Sequence, residues 1–160
     1  MSQRTIDAHL KHGPLRFFLR LPIWLYRAHL GWLLGERFLL LTHRGRKSGQ
    51  LHQTVLEVVR HDKRSNAYII ASGWGTRSDW MQNITKTPEV IVQVGNQRHS
   101  ARAERLSPTE AECELRAYAQ QHPEAFRRLA GLMTGQPWCD QPEYYQELAQ
   151  SVPMFVLHPC

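Results

Sequence analysis

From Phe38 onward the chain alternates short apolar runs with polar, glycine-punctuated turns, and this pattern predicts a sheet of about six strands. Phe38–Leu41 and Leu51–Val59 flank a basic turn, and further strands are expected at Ala67–Ser72, Glu89–Val94, Gln97–Leu106 and Val152–His158. In the second run His52, Thr54, Leu56 and Val58 share one face, and Val55, Glu57 and Val59 the other. Apolar residues on both faces suit a sheet that is covered on both sides or closed on itself. Gly95-Asn96 is a two-residue hairpin signal, and the polar run Arg60–Asn66 reads as a turn. Helical periodicity appears in between. Ser78 is a candidate N-cap for a short helix that ends before Pro88, with Trp80 and Ile84 one turn apart and facing the core. Ser107-Pro-Thr-Glu110 is a capping box opening a helix to about Gln121, followed by helices at Glu124–Met133 and Glu143–Gln150. Hairpin links with a few helices predict an α+β fold whose antiparallel sheet curls into a small barrel.

The N-terminal part reads differently. Residues 1–12 form a loose polar leader, and residues 13–35 an amphipathic N-terminal helix region broken by Arg16, Arg20 and Arg27. No uninterrupted run of about 18 apolar residues occurs, which argues against a spanning helix. Residues 14–34 could instead pack on the barrel, or lie at a membrane interface with Trp24, Tyr26 and Trp32 at headgroup depth.

A length of 160 residues suits one domain spanning the whole chain. The net charge of +6 implies an anionic partner: a nucleotide-like cofactor, a nucleic acid or an acidic membrane surface. Cys113, Cys139 and Cys160 are widely spaced and form no CxxC pair, so neither a zinc site nor a disulfide framework is expected. A cytoplasmic setting follows, supported by a polar N-terminus without a secretion-signal pattern. Cys113, on a helix, is expected to be buried. His43, His52, His61, His99 and His158 lie on separate elements without metal-ligand spacing. No nucleophile elbow, HExxH or GxGxxG motif is present, and no acid–base pair stands out, so any redox or transfer chemistry would rest with a bound cofactor.

Two stretches carry candidate binding chemistry. Between the first two strands His43, Arg44, Arg46 and Lys47 crowd around Gly45, Ser48 and Gly49. Oriented amides, fixed cations and a hydroxyl can cradle an anion, although the Walker spacing is absent. A solvated hairpin turn that happens to be basic accounts for the same residues. Further on, Gly73 and Gly75 around Trp74 allow the backbone to approach a planar ligand.

Leu39-Leu-Leu-Thr-His-Arg-Gly-Arg-Lys-Ser-Gly49 resembles the LLLTTTGRKSG opening of the deazaflavin (coenzyme F-420)-dependent nitroreductase family. Ile70-Ala-Ser72 before a glycine pair, Trp80-x-x-Asn83 and Pro88-Glu-Val-x-Val-Gln-Val94 follow in register. The resemblance implies a split β-barrel related to flavin reductases and pyridoxamine phosphate oxidases. It also implies a hydride transfer from reduced F-420 to a quinone-like, nitro or other electron-poor conjugated substrate. Arg46, Lys47 and Ser48 fall where the family holds the phosphate and tail. The strand His52, Gln53, Thr54, Val55, Leu56, Glu57 corresponds to the one facing the ring system. Ala71, Ser72, Gly73 and Trp74 correspond to the loop near the reactive ring, with Ser72 the candidate for anion stabilisation, and the short helix contributes Trp80, Met81 and Asn83. Trp74, His122 and Phe126 fall on the substrate side. The chain departs from the family at Leu51-His52, where a Pro-Arg pair is usual, and at Gly73-Trp-Gly75 in place of a Gly-Gly pair.

Two other readings remain open at this point. An FMN- or FAD-binding oxidoreductase could share the fold. A non-catalytic membrane-surface or nucleic-acid binding module would explain the charge, although the basic residues do not interleave with aromatics along one strand face, as a nucleic-acid platform requires. A homodimer, and a peripheral position at the inner face of the membrane through residues 14–34, complete the expectations.

Overall fold

The computed structural model describes residues 28, 36–72, 78–135 and 137–160. The loose leader, almost all of the N-terminal helix region and the loop Gly73–Arg77 lie outside the described residues.

Six strands form a closed antiparallel barrel: β1 (Phe38–Arg44), β2 (Leu51–Asp62), β3 (Ala67–Ala71), β4 (Glu89–Val94), β5 (Gln97–Arg105) and β6 (Met154–Pro159). Around the barrel the order is β1-β2-β3-β6-β5-β4, so β1 closes the sheet by pairing with both β2 and β4. Among the described residues, closure leaves no long sheet edge for another chain to pair with. The β4–β5 turn is the Gly-Asn hairpin, with Gly95 at φ 57°, the sign a II′ turn needs at its first position.

Period-two alternation divides the apolar side chains into two cores. Leu39 and Leu41 of β1, Val90, Val92 and Val94 of β4, and Tyr68 and Ile70 of β3 point inward. Helix α1 (Asp79–Lys86) packs Trp80, Met81 and Ile84 against these residues, and the Trp80 ring meets Phe155 of β6 edge-on at 6.0 Å. The i, i+4 pair of Trp80 and Ile84 therefore faces the core as its spacing predicts. On the outer face Ala67, Ile69, Met154 and Val156 meet a helical layer. That layer comprises α2 (Pro108–Gln121), α3 (Pro123–Thr134) and α4 (Pro142–Ser151). The capping box at Ser107 is formed in full, with the hydroxyl accepting from the Glu110 amide and the Glu110 carboxylate accepting from the Ser107 amide.

Two expectations are corrected. The run Arg60–Asp62 is strand rather than turn, because β2 continues through a bulge. The register passes from Val58↔Ile70 to Arg60↔Ile69, leaving Val59 as the extra residue. Val58 packs against the barrel core, Val59 packs under the helices, and Arg60 pairs with Glu114 of α2 at 2.8 Å. Polar residues that look turn-forming thus have long-range partners. Cys113 is exposed, not buried, because α2 buries Ala111, Leu115 and Ala119, and position 113 falls off that stripe. Cys139 and Cys160 are also exposed. Among the described residues no helix is long and apolar enough to cross a membrane.

Candidate active site

Where β1 and β2 meet helix α1, a cavity of about 560 Å³ opens. Its walls come from the β1–β2 turn (Gly45–Ser48), the start of β2 (His52–Thr54) and α1 (Asp79, Trp80, Asn83), with Ser78 at the helix entrance. The turn is compact. The Gly45 amide donates to the Gln50 carbonyl at 2.7 Å and the Gly49 amide to the Gly45 carbonyl at 2.9 Å. Gly49 sits at φ 70°, the left-handed region that glycine tolerates. A Cβ at Gly45 would lie 2.7 Å from Ser48 Oγ and 2.9 Å from His52 Nε2, so a larger residue there would displace these two side chains.

One buried amide organises the cationic side of the cavity. Asn83 is 4% exposed. Its Oδ1 accepts from the Arg46 backbone amide at 3.1 Å and from Arg46 Nη1 at 3.0 Å. Its Nδ2 lies 3.0 Å from His43 Nδ1. An amide nitrogen only donates, so His43 Nδ1 must accept and the ring must carry its proton on Nε2. His43 reaches this position by strand alternation: it shares the inward face of Leu39 and Leu41 and lies at the end of β1. Burial, with the neighbouring His52 ring in support and Asp79 opposing, lowers the His43 pKa to about 4, so it is a neutral acceptor at physiological pH. Arg46 Nη2 also reaches Asp79 at 3.2 Å, and Lys86 Nζ donates to the Arg46 carbonyl at 3.0 Å. The guanidinium is thereby fixed before any ligand arrives, while Lys47 and Ser48 are exposed at the rim. Arg44 serves the turn itself, donating to the Gly49 carbonyl at 2.7 Å.

This donor set suits an anionic group. A fixed planar guanidinium, an exposed ammonium and a hydroxyl border one concave space, and the wall beyond them carries an indole and polar side chains. The sequence profile of the F420H(2)-dependent quinone reductase family matches residues 19–131. The chain belongs to that family.

Similar proteins agree with this membership. The Mycobacterium tuberculosis protein Rv3178, which is named as an F420H(2)-dependent quinone reductase, is 34% identical over 67 residues. That match covers 41% of this chain and 55% of the relative, so the chain spans just over half of this curated relative's length. The solved structure of an F420-H2 dependent reductase, FDR-A, superposes with a TM-score of 0.54 at 20% identity, over 78% of this chain and 96% of that one. A solved structure described as a domain-swapped dimer gives 0.53 at 19% identity, over 86% and 99% of the two chains. At these identities the superpositions speak for the fold, and the fold is the split barrel expected from the sequence.

The residues that the resemblance to the deazaflavin-dependent nitroreductase family singles out are not all brought together. Arg46, Lys47, Ser48, His52, Gln53, Thr54, Trp80 and Asn83 line the one cavity. Leu56 packs against the barrel core and Met81 is buried within it, while Val55 pairs with Leu40 in the sheet. Ser72 is 1% exposed, and its hydroxyl lies 2.7 Å from that of Ser78, which does reach the cavity. Gly73 and Trp74 lie outside the described residues. Ala71, Glu57 and Phe126 line a second, apolar space on the far side of β2. His122 is exposed at the junction of α2 and α3, its ring 5.1 Å from that of Tyr118. Four lining residues were not among the expected site residues: Gly45 and Ser78 as wall, Asp79 as a partner of Arg46, and His43 as the group that orients Asn83. The inward alternation of Leu39, Leu41 and His43 was the available signal for His43.

Proposed function

We propose that this chain is an F-420-dependent oxidoreductase that reduces quinones or related electron-poor conjugated compounds. The observation that carries this reading is the preset cation: Arg46 is held by Asn83 and Asp79 at the mouth of a cavity large enough for a ring system. Arg46, Lys47 and Ser48 would hold the phosphate and the acidic tail, and Trp80 with His52, Gln53 and Thr54 would flank the ring-bearing end. When bound, the reduced coenzyme supplies a hydride. A quinone takes up that hydride and one proton to become the hydroquinone, so the protein has to align the partners and exclude water. Ser72 contributes at one remove: its hydroxyl orients Ser78, which can face negative charge developing in the cavity. A cytoplasmic setting, in which the three exposed thiols stay reduced, belongs to the same reading.

The test is a fluorescence titration of the protein with F-420, with FMN and FAD alongside, followed by turnover of the reduced deazaflavin with a quinone. Saturable binding of F-420 alone and quinone-dependent reoxidation are expected. Binding of FMN or FAD alone would move the chemistry to flavin, and binding of none would remove the catalytic reading. A homodimer is part of the proposal, supported by the neighbour described as a domain-swapped dimer. Light scattering should return twice the 18.6 kDa chain mass, and a monomer would end that part.

A further inference from the structure

The guanidinium at the mouth of the cavity is held at two points of unequal kind. On one side it meets a buried neutral group. The Asn83 oxygen accepts from the Arg46 backbone amide at 3.1 Å and from Nη1 at 3.0 Å. Because this contact takes the backbone as well as the side chain, it fixes the guanidinium with or without a ligand. On the other side Arg46 meets a charge. Its Nη2 donates to Asp79 Oδ1 at 3.2 Å, and the Asp79 side chain is 83% exposed against 26% for Arg46. An ion pair with so exposed a partner stabilises the fold little, so little is lost when it opens.

A carboxylate is the wrong charge for an anion site, yet Asp79 lines the same cavity as Arg46, Lys47 and Ser48. Its place has a local cause. Asp79 is the first residue of α1, where an acid suits the positive end of the helix. The consequence is that its oxygen sits on one arm of the donor fork that would meet a phosphate or sulfate oxygen. Among the described residues Arg46 is the one cation within ion-pair distance of Asp79. Lys86, at the other end of the same helix, donates instead to the Arg46 carbonyl at 3.0 Å. When Asp79 leaves Arg46, its charge therefore returns to water.

We propose that Asp79 is a displaceable internal competitor, whose carboxylate occupies the Nη2 arm of Arg46 until an anionic ligand takes that place. This inference rests on the proposed function, in which Arg46 holds the anionic end of the ligand. Asn83 keeps the guanidinium in position during the exchange. The penalty is the same for any anion that takes this arm. It keeps small ions off an arginine they would otherwise fill, while a ligand with further contacts at Lys47, Ser48 and Trp80 still binds.

The test uses sulfate, whose charge is constant near neutral pH, and reads its binding from the amide chemical shifts of Gly45–Ser48 in the protein without coenzyme. Asp79→Asn keeps a neutral acceptor of the same shape and removes only the charge. It should bind sulfate about fivefold more tightly than the wild type at low ionic strength, with a gain that shrinks as salt is raised. Asp79→Glu, which keeps the charge, should stay within about twofold of the wild type. In an Arg46→Ala background the gain from Asp79→Asn should be smaller, because the arm for which Asp79 competes is gone. F-420 should gain from Asp79→Asn by a factor comparable to that for sulfate. Unchanged or weaker sulfate binding by a folded Asp79→Asn variant would mean that Asp79 orders Arg46 rather than competes for it, and would overturn the proposal. An equal gain with and without Arg46, or sulfate binding to neither protein, would overturn it too. F-420 binding that gains nothing while sulfate does would sever the competition from the coenzyme. Failure of F-420 to bind either protein would overturn the proposed function alone, because the sulfate series stands without it.

Discussion

An Arg46→Ala, Lys47→Ala double variant is expected to bind F-420 at least about 100-fold more weakly than the wild type, and with a shallower dependence on salt. Hydrogen bonds to a charged group contribute roughly 1.5–3 kcal/mol each, and two lost together span about two to four decades of affinity. Arg46 is ordered in advance, which sets the lower bound on this loss. Its backbone amide and Nη1 share the Asn83 oxygen, and Nη2 is already on Asp79, so little side-chain entropy is left to lose on binding. Lys47 is exposed and unconstrained by comparison, and its loss should show mostly in the salt dependence. Asn83→Ala offers an internal control. It leaves both cations in place but removes the acceptor that fixes the guanidinium, so affinity should fall by about tenfold, less than in the double variant. Fluorescence titration at two ionic strengths reads both effects. An unchanged dissociation constant in the double variant would remove the basic turn from the cofactor site.

These contacts show where reasoning from the sequence reached and where it stopped. Strand and helix positions were legible because alternation and capping act locally. Leu39 and Leu41 fix the inward face of β1, Ser107 and Glu110 fix the start of α2, and Gly95-Asn96 fixes the β4–β5 turn. The barrel itself was legible from apolar residues on both faces of β2, and the cluster at Gly45–Gly49 was legible as chemistry. Pairing across the fold was not. Asn83 stands 37 positions from Arg46 and 40 from His43, and no local pattern announces that one amide serves both. The bulge at Val59 was hidden for the same reason. Arg60 and His61 look like turn residues until Glu114 and the stacked Tyr68 ring, 4.1 Å away, are in place. The apolar space was out of reach because its walls run from Glu57 to Met154 and exist only when the helices cover the sheet.

The chain should lose stability as pH falls from about 6.5 towards 4, and His43 should account for roughly 3 kcal/mol of that loss. In the unfolded chain the imidazole takes up its proton near 6.5, whereas in the folded protein burial delays this to about 4. Between those values the unfolded state holds more protons, so stability rises with pH across the window, is complete above 6.5 and has gone at its lower end. Geometry gives the same sign. A protonated ring has donors on both nitrogens, so His43 Nδ1 could no longer accept from Asn83 Nδ2, and two donors would face each other across 3.0 Å. The amide would be pushed off the geometry in which its oxygen holds Arg46. His43→Gln separates this effect from the other titrating groups, because its side-chain oxygen can accept from Asn83 but takes up no proton. Chemical denaturation at pH 7 and pH 4.5 should show a steep loss in the wild type and a loss smaller by about 2–3 kcal/mol in the variant. Coenzyme affinity, by contrast, should show no His43-dependent change between pH 5 and 8, since the folded ring stays neutral there. Equal losses of stability in the two proteins would mean that His43 is not the group that acid attacks. A binding step near pH 6.5 that disappears in the variant would mean that the ring is charged in the folded state and that the Asn83 amide faces the other way.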